Sequence, residues 1–329
     1  MKIFLPFAIK DIGGTSTFAY QFSRTLQERG FIVTSAFSWN FDVLFVIADC
    51  PLQYLLLAKI LGKKVVQRLD GIYHPAVAGK KYWLYNLKMK ITHRYFADTV
   101  IYQSQFSKES CELFLGNTQA HTTIIYNGVD EKLFIPDQHK SFDTPIRLIT
   151  YAKFRRKDQI LPLIEAVKLL NPQDFCFDVY GSLTPKLLEC IKPLPSHIKL
   201  HGKIPHQELP KVIKNAHIFL FSDQSACPNS VLEALASGLP VVAYNRGSIP
   251  ELIKSGYNGE VIFLEKPDSF KTSYPFTKKD YFVFSEKLKE IRGSCNQMGS
   301  RARLEIERKY SILKMIGKYL AIFSSNKHL

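Results

Sequence analysis

The feature that most constrains this chain is the alternation of short apolar runs with longer amphipathic stretches. In the first half the runs fall at residues 2–6, 31–36, 43–47, 64–69, 99–102 and 123–126. Helical patterns lie between them at 17–29, 51–61, 82–96 and 108–115. A strand that is apolar on both sides of its pleat is covered on both faces, and parallel neighbours need crossover helices to connect them. The first half is therefore predicted to be a doubly wound α/β domain.

A polar stretch at 137–144 interrupts the rhythm, which then restarts. Strands are predicted at 146–150, 177–180, 198–200, 218–221 and 241–244, with helices at 159–170, 209–215, 229–237 and 250–255. Two Rossmann-like domains in tandem follow, residues 1–140 and 145–300, with 137–144 as linker. Residues 301–323 carry apolar positions at the helical repeat for about six turns. That pattern predicts a C-terminal helix within 301–329, packing back across the lobes.

The 329 residues, 46% hydrophobic and 22% charged, suffice for two folded cores. Six cysteines are scattered without a C-x-x-C pair, which predicts reduced thiols and a cytoplasmic protein. The short apolar start reads as a first strand, not a signal, and no run approaches the roughly 20 residues of a membrane span. The net charge of +15 is spread over both halves. It suits an anionic diphosphate, an anionic membrane surface or a polyanionic acceptor. Without zinc-finger spacing, an RNP-like strand or a basic zipper, nucleic acid is not expected as a partner. The stretch 82–96 mixes aromatics with Lys88, Lys90 and Arg94 behind Lys80 and Lys81, a pattern shared by half-buried helices and by helices lying on anionic membranes.

The densest chemical signal is the run from Ser222 to Ala243. A strand ends near Ser222 and a helix is predicted to open at Asn229 behind Pro228. A helix start at the carboxyl edge of a parallel sheet offers backbone N–H groups to a phosphate. Asn229 and Ser230 are good capping types, and Glu233, one turn in, suits a sugar diol; a capped helix whose Glu233 complements the dipole reads equally well. Gly13 and Gly14, after the first strand, either let the backbone approach a ligand or form a turn; the third glycine of a dinucleotide fingerprint is missing.

This run resembles the signature of the retaining glycosyltransferases called glycosyl transferases group 1, also classed as glycosyltransferase family 4. The matching residues are Pro228-Asn229, Leu232-Glu233-Ala234, Gly238, Pro240-Val241-Val242, Gly247, Glu251 and Ile253. Ile125 to Asp130, with Phe134 and Pro136, resembles the end of the family's first lobe; Val179-Tyr180-Gly181-Ser182 and Leu200 to Lys203 resemble its donor lobe. The resemblance implies the GT-B fold, two Rossmann-like domains facing across a cleft, and transfer of a sugar from a nucleoside-diphosphate sugar with retention.

On that resemblance, Glu233 binds the ribose, the backbone of Asn229, Ser230 and Val231 meets the diphosphate or sugar, and Gly13, Gly14 and Gly181 belong to the donor site. Lys153 and Lys157 are the cations implied for the leaving diphosphate, with Arg155 and Arg156 as competitors, or else the run is a solvated basic turn. Two cations serve that charge without a metal, and there is no D-x-D triplet. The family's second glutamate, eight residues before Glu233, is Ser225 here, so Asp223 or Gln224 is expected to reach the sugar. Asp70, in Arg68-Leu-Asp70-Gly71, stands where many relatives carry a His; it is expected at the sugar or acceptor hydroxyl, with His74 as fallback. The acceptor implied is a saccharide or lipid-linked saccharide. Ser225 also leaves open an inactive binding partner, and the fold leaves open an epimerase.

Overall fold

The structure, a computed structural model, describes residues 1–7, 14–137, 141, 145–264, 269–271 and 274–325. The chain forms two compact units. Unit 1 comprises Met1–Gly128, Phe270–Thr272 and Ile312–Leu329, and unit 2 comprises Val129–Ser269 and Ser273–Ser311.

Unit 1 is built on strands β1 (Lys2–Phe4), β2 (Ile32–Thr34), β3 (Val43–Ile47), β4 (Lys64–Leu69), β5 (Thr99–Tyr102) and β6 (His121–Ile124). They pair in parallel in the order β2-β1-β3-β4-β5-β6. Every residue of β3 and β4 is buried: β3 is an unbroken apolar run, and in β4 the buried Lys64, Gln67 and Arg68 donate hydrogen bonds to groups on other segments. One face packs on helix Gly14–Glu28 and on helix Ile312–Ser324, where Phe22, Phe45, Tyr319 and Phe323 meet edge to face. Each such side chain contributes about 1.5–3 kcal/mol on burial.

Unit 2 repeats the architecture with β7 (Ile146–Lys153), β8 (Phe175–Ser182), β9 (Ile198–Gly202), β10 (Ile218–Phe221), β11 (Val241–Tyr244) and β12 (Gly259–Ile262). Their order is β12-β11-β10-β7-β8-β9, all parallel. From β7 the chain winds outward through β8 and β9, then returns to lay β10 on the other side. The reversal point is thus the gap between β7 and β10, and its carboxyl edge is where open α/β sheets bind ligands.

The segment from 301 onward differs from the expected single helix. Helix Cys295–Glu305 runs into a π turn at Ile306–Tyr310, Ser311 is extended, and a separate helix spans Ile312–Ser324. The break has a cause in hydrogen bonding: the Val129 amide donates to the Tyr310 carbonyl at 2.9 Å, and Val129 bridges Ser311. Those groups are spent outside a helical ladder. The expected linker, 137–144, lies mostly outside the described residues.

Candidate functional site

At the reversal point of unit 2, β7 ends on Lys153 and β10 ends on Phe221. Beyond β10 a loop over Ser222–Cys227 leads to helix Asn229–Ala236. The cap differs from expectation. Pro228 is the N-cap, with φ −72° and no side chain to cap with, so Asn229 and Ser230 are the first helical residues. Proline fits there because its fixed φ matches the entry to a helix. The loop is held from behind by Gly247: a Cβ at that residue would lie 2.3 Å from the Ser225 carbonyl oxygen, and the Ser248 amide donates to the same oxygen at 2.9 Å. Ser225 is therefore fixed through its backbone.

Glu233 is 4% exposed, and both carboxylate oxygens have partners. The Tyr151 hydroxyl of β7 donates to Oε2 at 2.8 Å, and His206 Nε2 lies 2.9 Å from Oε1. Burial, with the neighbouring Glu233 carboxylate, pushes the Tyr151 phenol well above its usual value, so it remains a donor. The hydrogen bond to Glu233, opposed by burial, raises His206 above its ordinary value. Glu233 thus does more than complement its helix dipole. Sequence reasoning singles out neither Tyr151 nor His206. Tyr151 lies two residues before Lys153 on an apolar strand, and His206 lies in a polar turn after β9; neither position carries a local signal.

The basic run after β7 divides. Arg156 is drawn inward, with Nε 3.0 Å from Asp158 and NH2 2.5 Å from Asp223. Gln159 also donates to Asp223, at 2.8 Å. Arg246 completes the group, donating to Asp158 at 2.9 Å and to the Ser222 carbonyl at 2.7 Å. Burial acts to raise the Asp158 carboxyl, but Arg156 and Arg246 outweigh it and hold it below the usual carboxylate range. Asp223, expected to reach for the sugar, is held by Arg156 and Gln159. Lys153, Arg155 and Lys157 are exposed, without an ion pair among the described residues. The structure leaves these cations available and gives Arg156 a structural task.

Gly181 pairs with Ala152 in the sheet at φ +124°, and a Cβ would sit 1.8 Å from the Ala152 carbonyl oxygen. Its identity follows from that approach of β8 to β7.

The other candidates belong to unit 1. Gly13 lies outside the described residues, and Gly14 opens helix Gly14–Glu28 with open space around it. Asp70 follows β4 and pairs with Arg68, a fully buried arginine that donates to Asn127 at 2.7 Å and covers the Phe18 ring. The sequence Arg68-Leu-Asp70 thus places an anchor one pleat behind the carboxylate. His74, the fallback, is buried against Phe270, whose carbonyl lies 3.1 Å from Nδ1.

Comparison with known proteins bears on the family and the fold. Residues 145–273 match the family model described as Glycosyl transferases group 1. An amylovoran biosynthesis glycosyltransferase of Erwinia amylovora is 30% identical over 145 residues, covering 40% of this chain and 36% of that protein. The chain spans about a third of the length of that relative. A putative colanic acid biosynthesis glycosyltransferase of Escherichia coli is 28% identical over 148 residues, covering 41% of this chain and 36% of its own length. Among solved structures, Anabaena HepE in complex with UDP and glucose superposes with a TM-score of 0.74 at 16% identity, covering 98% of this chain and 99% of its own. Sucrose-phosphate synthase from Thermosynechococcus elongatus gives 0.76 at 14%, covering 98% of each. The fold is the two-domain α/β architecture known as GT-B, and residues 145–273 carry the likeness to the glycosyl transferases group 1.

Proposed function

We propose that this chain transfers a glycosyl group from a nucleoside-diphosphate sugar to an acceptor hydroxyl, with retention and without a resident metal. The observation that carries the reading is the buried Glu233 carboxylate on the helix that opens at the reversal point of unit 2, with Lys153 and Lys157 exposed at the end of β7. A carboxylate there accepts hydrogen bonds from a ribose diol, and the first turn of an eight-residue helix, Asn229 to Val231, offers amides to a diphosphate. Lys153 and Lys157 would neutralise charge that grows on the departing diphosphate, and the diphosphate oxygen would take the acceptor's proton. Asp70, ion-paired with Arg68, would accept a hydrogen bond from a sugar or acceptor hydroxyl. The relatives' names point to a saccharide acceptor in polysaccharide assembly, and the HepE complexes make UDP-glucose the first donor to try.

The test is a panel of UDP-, GDP-, ADP- and dTDP-sugars, scored by thermal stabilisation and slow donor hydrolysis. One donor is expected to do both; Glu233→Ala should lose stabilisation, and Lys157→Ala should keep binding but lose hydrolysis. Stabilisation with no turnover in the parent would favour a binding module. Silence across the panel would sink the enzyme reading.

A peripheral membrane contact belongs to the same proposal. Helix Tyr82–Ile91 exposes Trp83, Leu84, Tyr85 and Leu87 beside exposed Lys80, Lys81 and Lys88. Contiguous apolar side chains rimmed by cations suit an anionic bilayer surface. No helix among the described residues is long and apolar enough to cross a membrane. Co-flotation with phosphatidylglycerol vesicles, lost in Trp83→Ser with Leu87→Ser, is the expected result; flotation unchanged by those substitutions would remove the contact.

A further inference from the structure

We propose that His206 is a positioning residue for ribose recognition: it orients Glu233 so that each carboxylate oxygen keeps one acceptor site for a vicinal diol, which makes the site select ribonucleotides over 2′-deoxyribonucleotides. The proposal rests on the reading of Glu233 as the ribose-binding group.

An ionised carboxylate has about four lone-pair sites, two on each oxygen. Here one donor meets each oxygen, and the two donors come from separate elements: Tyr151 from β7 on Oε2, and His206 from the turn His206–Glu208 after β9 on Oε1. One acceptor site per oxygen remains. A vicinal diol carries two O–H groups and satisfies that remainder one for one, whereas a 2′-deoxyribose leaves one buried acceptor unmet. Leaving a buried acceptor unmet is what makes polar sites reject the analogue lacking a hydroxyl.

His206 is needed because the terminal torsion of a glutamate is broad and soft. Tyr151 alone fixes one oxygen and leaves the plane of the carboxylate free to turn. His206 fixes the second oxygen and is itself steadied, with its ring edge-on to Phe134 at 5.8 Å. Imidazole Nε2–H donates in the charged form and in one neutral tautomer, so the geometry survives a change of charge on the ring.

The test is isothermal titration of the intact chain with UDP, GDP and ADP and with their 2′-deoxy counterparts. The parent is expected to bind one ribose form at least about tenfold more tightly than its deoxy form. His206→Phe and His206→Leu each remove the donor, so the comparison does not depend on one of them folding. Either should compress the preference to below about threefold while holding deoxy affinity within about twofold. His206→Gln, which keeps a side-chain N–H donor, should restore the preference. If His206→Phe and His206→Leu keep the full preference, or weaken both forms equally, the positioning role is overturned. Glu233→Gln separates the two claims. Loss of the preference in Glu233→Gln but not in the His206 variants overturns this proposal alone; a preference untouched in Glu233→Gln, or no nucleotide binding by the parent, overturns the ribose reading and this proposal with it.

Discussion

Arg246→Met tests whether the network under the loop is held as the structure implies. The Arg246 and Asp158 side chains are 2% and 8% exposed, and the guanidinium also donates to the Ser222 carbonyl. Removing one partner of a buried pair costs about 3–5 kcal/mol, because the other charge stays buried without it. Asp158 keeps Arg156 at 3.0 Å, which argues for the lower end, about 3 kcal/mol. On a unit of this size each kcal/mol moves the unfolding midpoint by about 2–4 °C, so a fall of about 6–12 °C is expected by calorimetry. The pH dependence supplies an internal control. The Asp158 carboxyl is held below its ordinary 3.8, so its stabilisation is complete above that pH and is lost as pH falls through the lower folded value. The gap between parent and variant should therefore narrow on acidification below pH 3.8. Arg246→Lys, which keeps the charge but not the fork, should fall between the two. A midpoint within about 2 °C of the parent's at neutral pH would refute the network as a source of stability.

Three further outcomes are expected. Gly181→Ala places a Cβ 1.8 Å from a backbone oxygen at a φ of +124°, and should cost at least about 2 kcal/mol in urea unfolding; an unchanged midpoint would mean that β7 and β8 part easily. His206 is raised above its ordinary 6.5, so its stabilisation is complete below pH 6.5 and is lost as pH rises through the folded value. The stability difference between the parent and His206→Phe should accordingly be larger in mildly acidic than in alkaline buffer, and a difference flat with pH would contradict the pairing with Glu233. Ala48 sits at φ +61°, where a Cβ is strained, so Ala48→Gly should gain up to about 1 kcal/mol; a loss would show that the Cβ packs favourably enough to offset that strain.

The sheets are legible where buried parallel strands are apolar runs, as in β3; β4 is less so, since the burial of Lys64, Gln67 and Arg68 depends on partners elsewhere in the chain. β12 is not legible in the sequence because Gly259 opens it, and glycine marks turns as often as strands. That glycine is there because a Cβ would lie 2.0 Å from the Val241 carbonyl oxygen, a constraint imposed from a distant part of the chain. Helix Lys278–Ile291 lies outside the expected elements, although Thr277 and Asp280 form a capping box, whose Thr-x-x-Asp spacing is a local signal of a helix start. The site was legible to the extent that its groups are local. The Pro-Asn-Ser-Val-Leu-Glu run announces a helix with a carboxylate one turn in; that Glu233 is buried comes from the fold. Which arginine stays inside was not legible, since the partners of Arg156 and Arg246 lie up to 88 residues away. The same holds for His206, whose importance comes from a carboxylate 27 residues further on.

Helix Ile312–Ser324 puts Ile312, Met315, Ile316, Tyr319 and Phe323 into the core of unit 1, whose strands all lie before residue 125. On the ribosome, therefore, the first sheet emerges with helix Gly14–Glu28 on that face but the ground of helix Ile312–Ser324 still bare, and waits while unit 2 is made. Unit 2, almost continuous in sequence, has its six strands and their covering helices in hand earlier. The part synthesised first is thus the part completed after unit 2, and the nascent chain carries a partly uncovered apolar sheet face while residues 125–311 are made. Chaperone demand and proteolytic risk should concentrate in that interval, and stalling between residues 130 and 300 should yield a species protected in its second half and cleavable in its first.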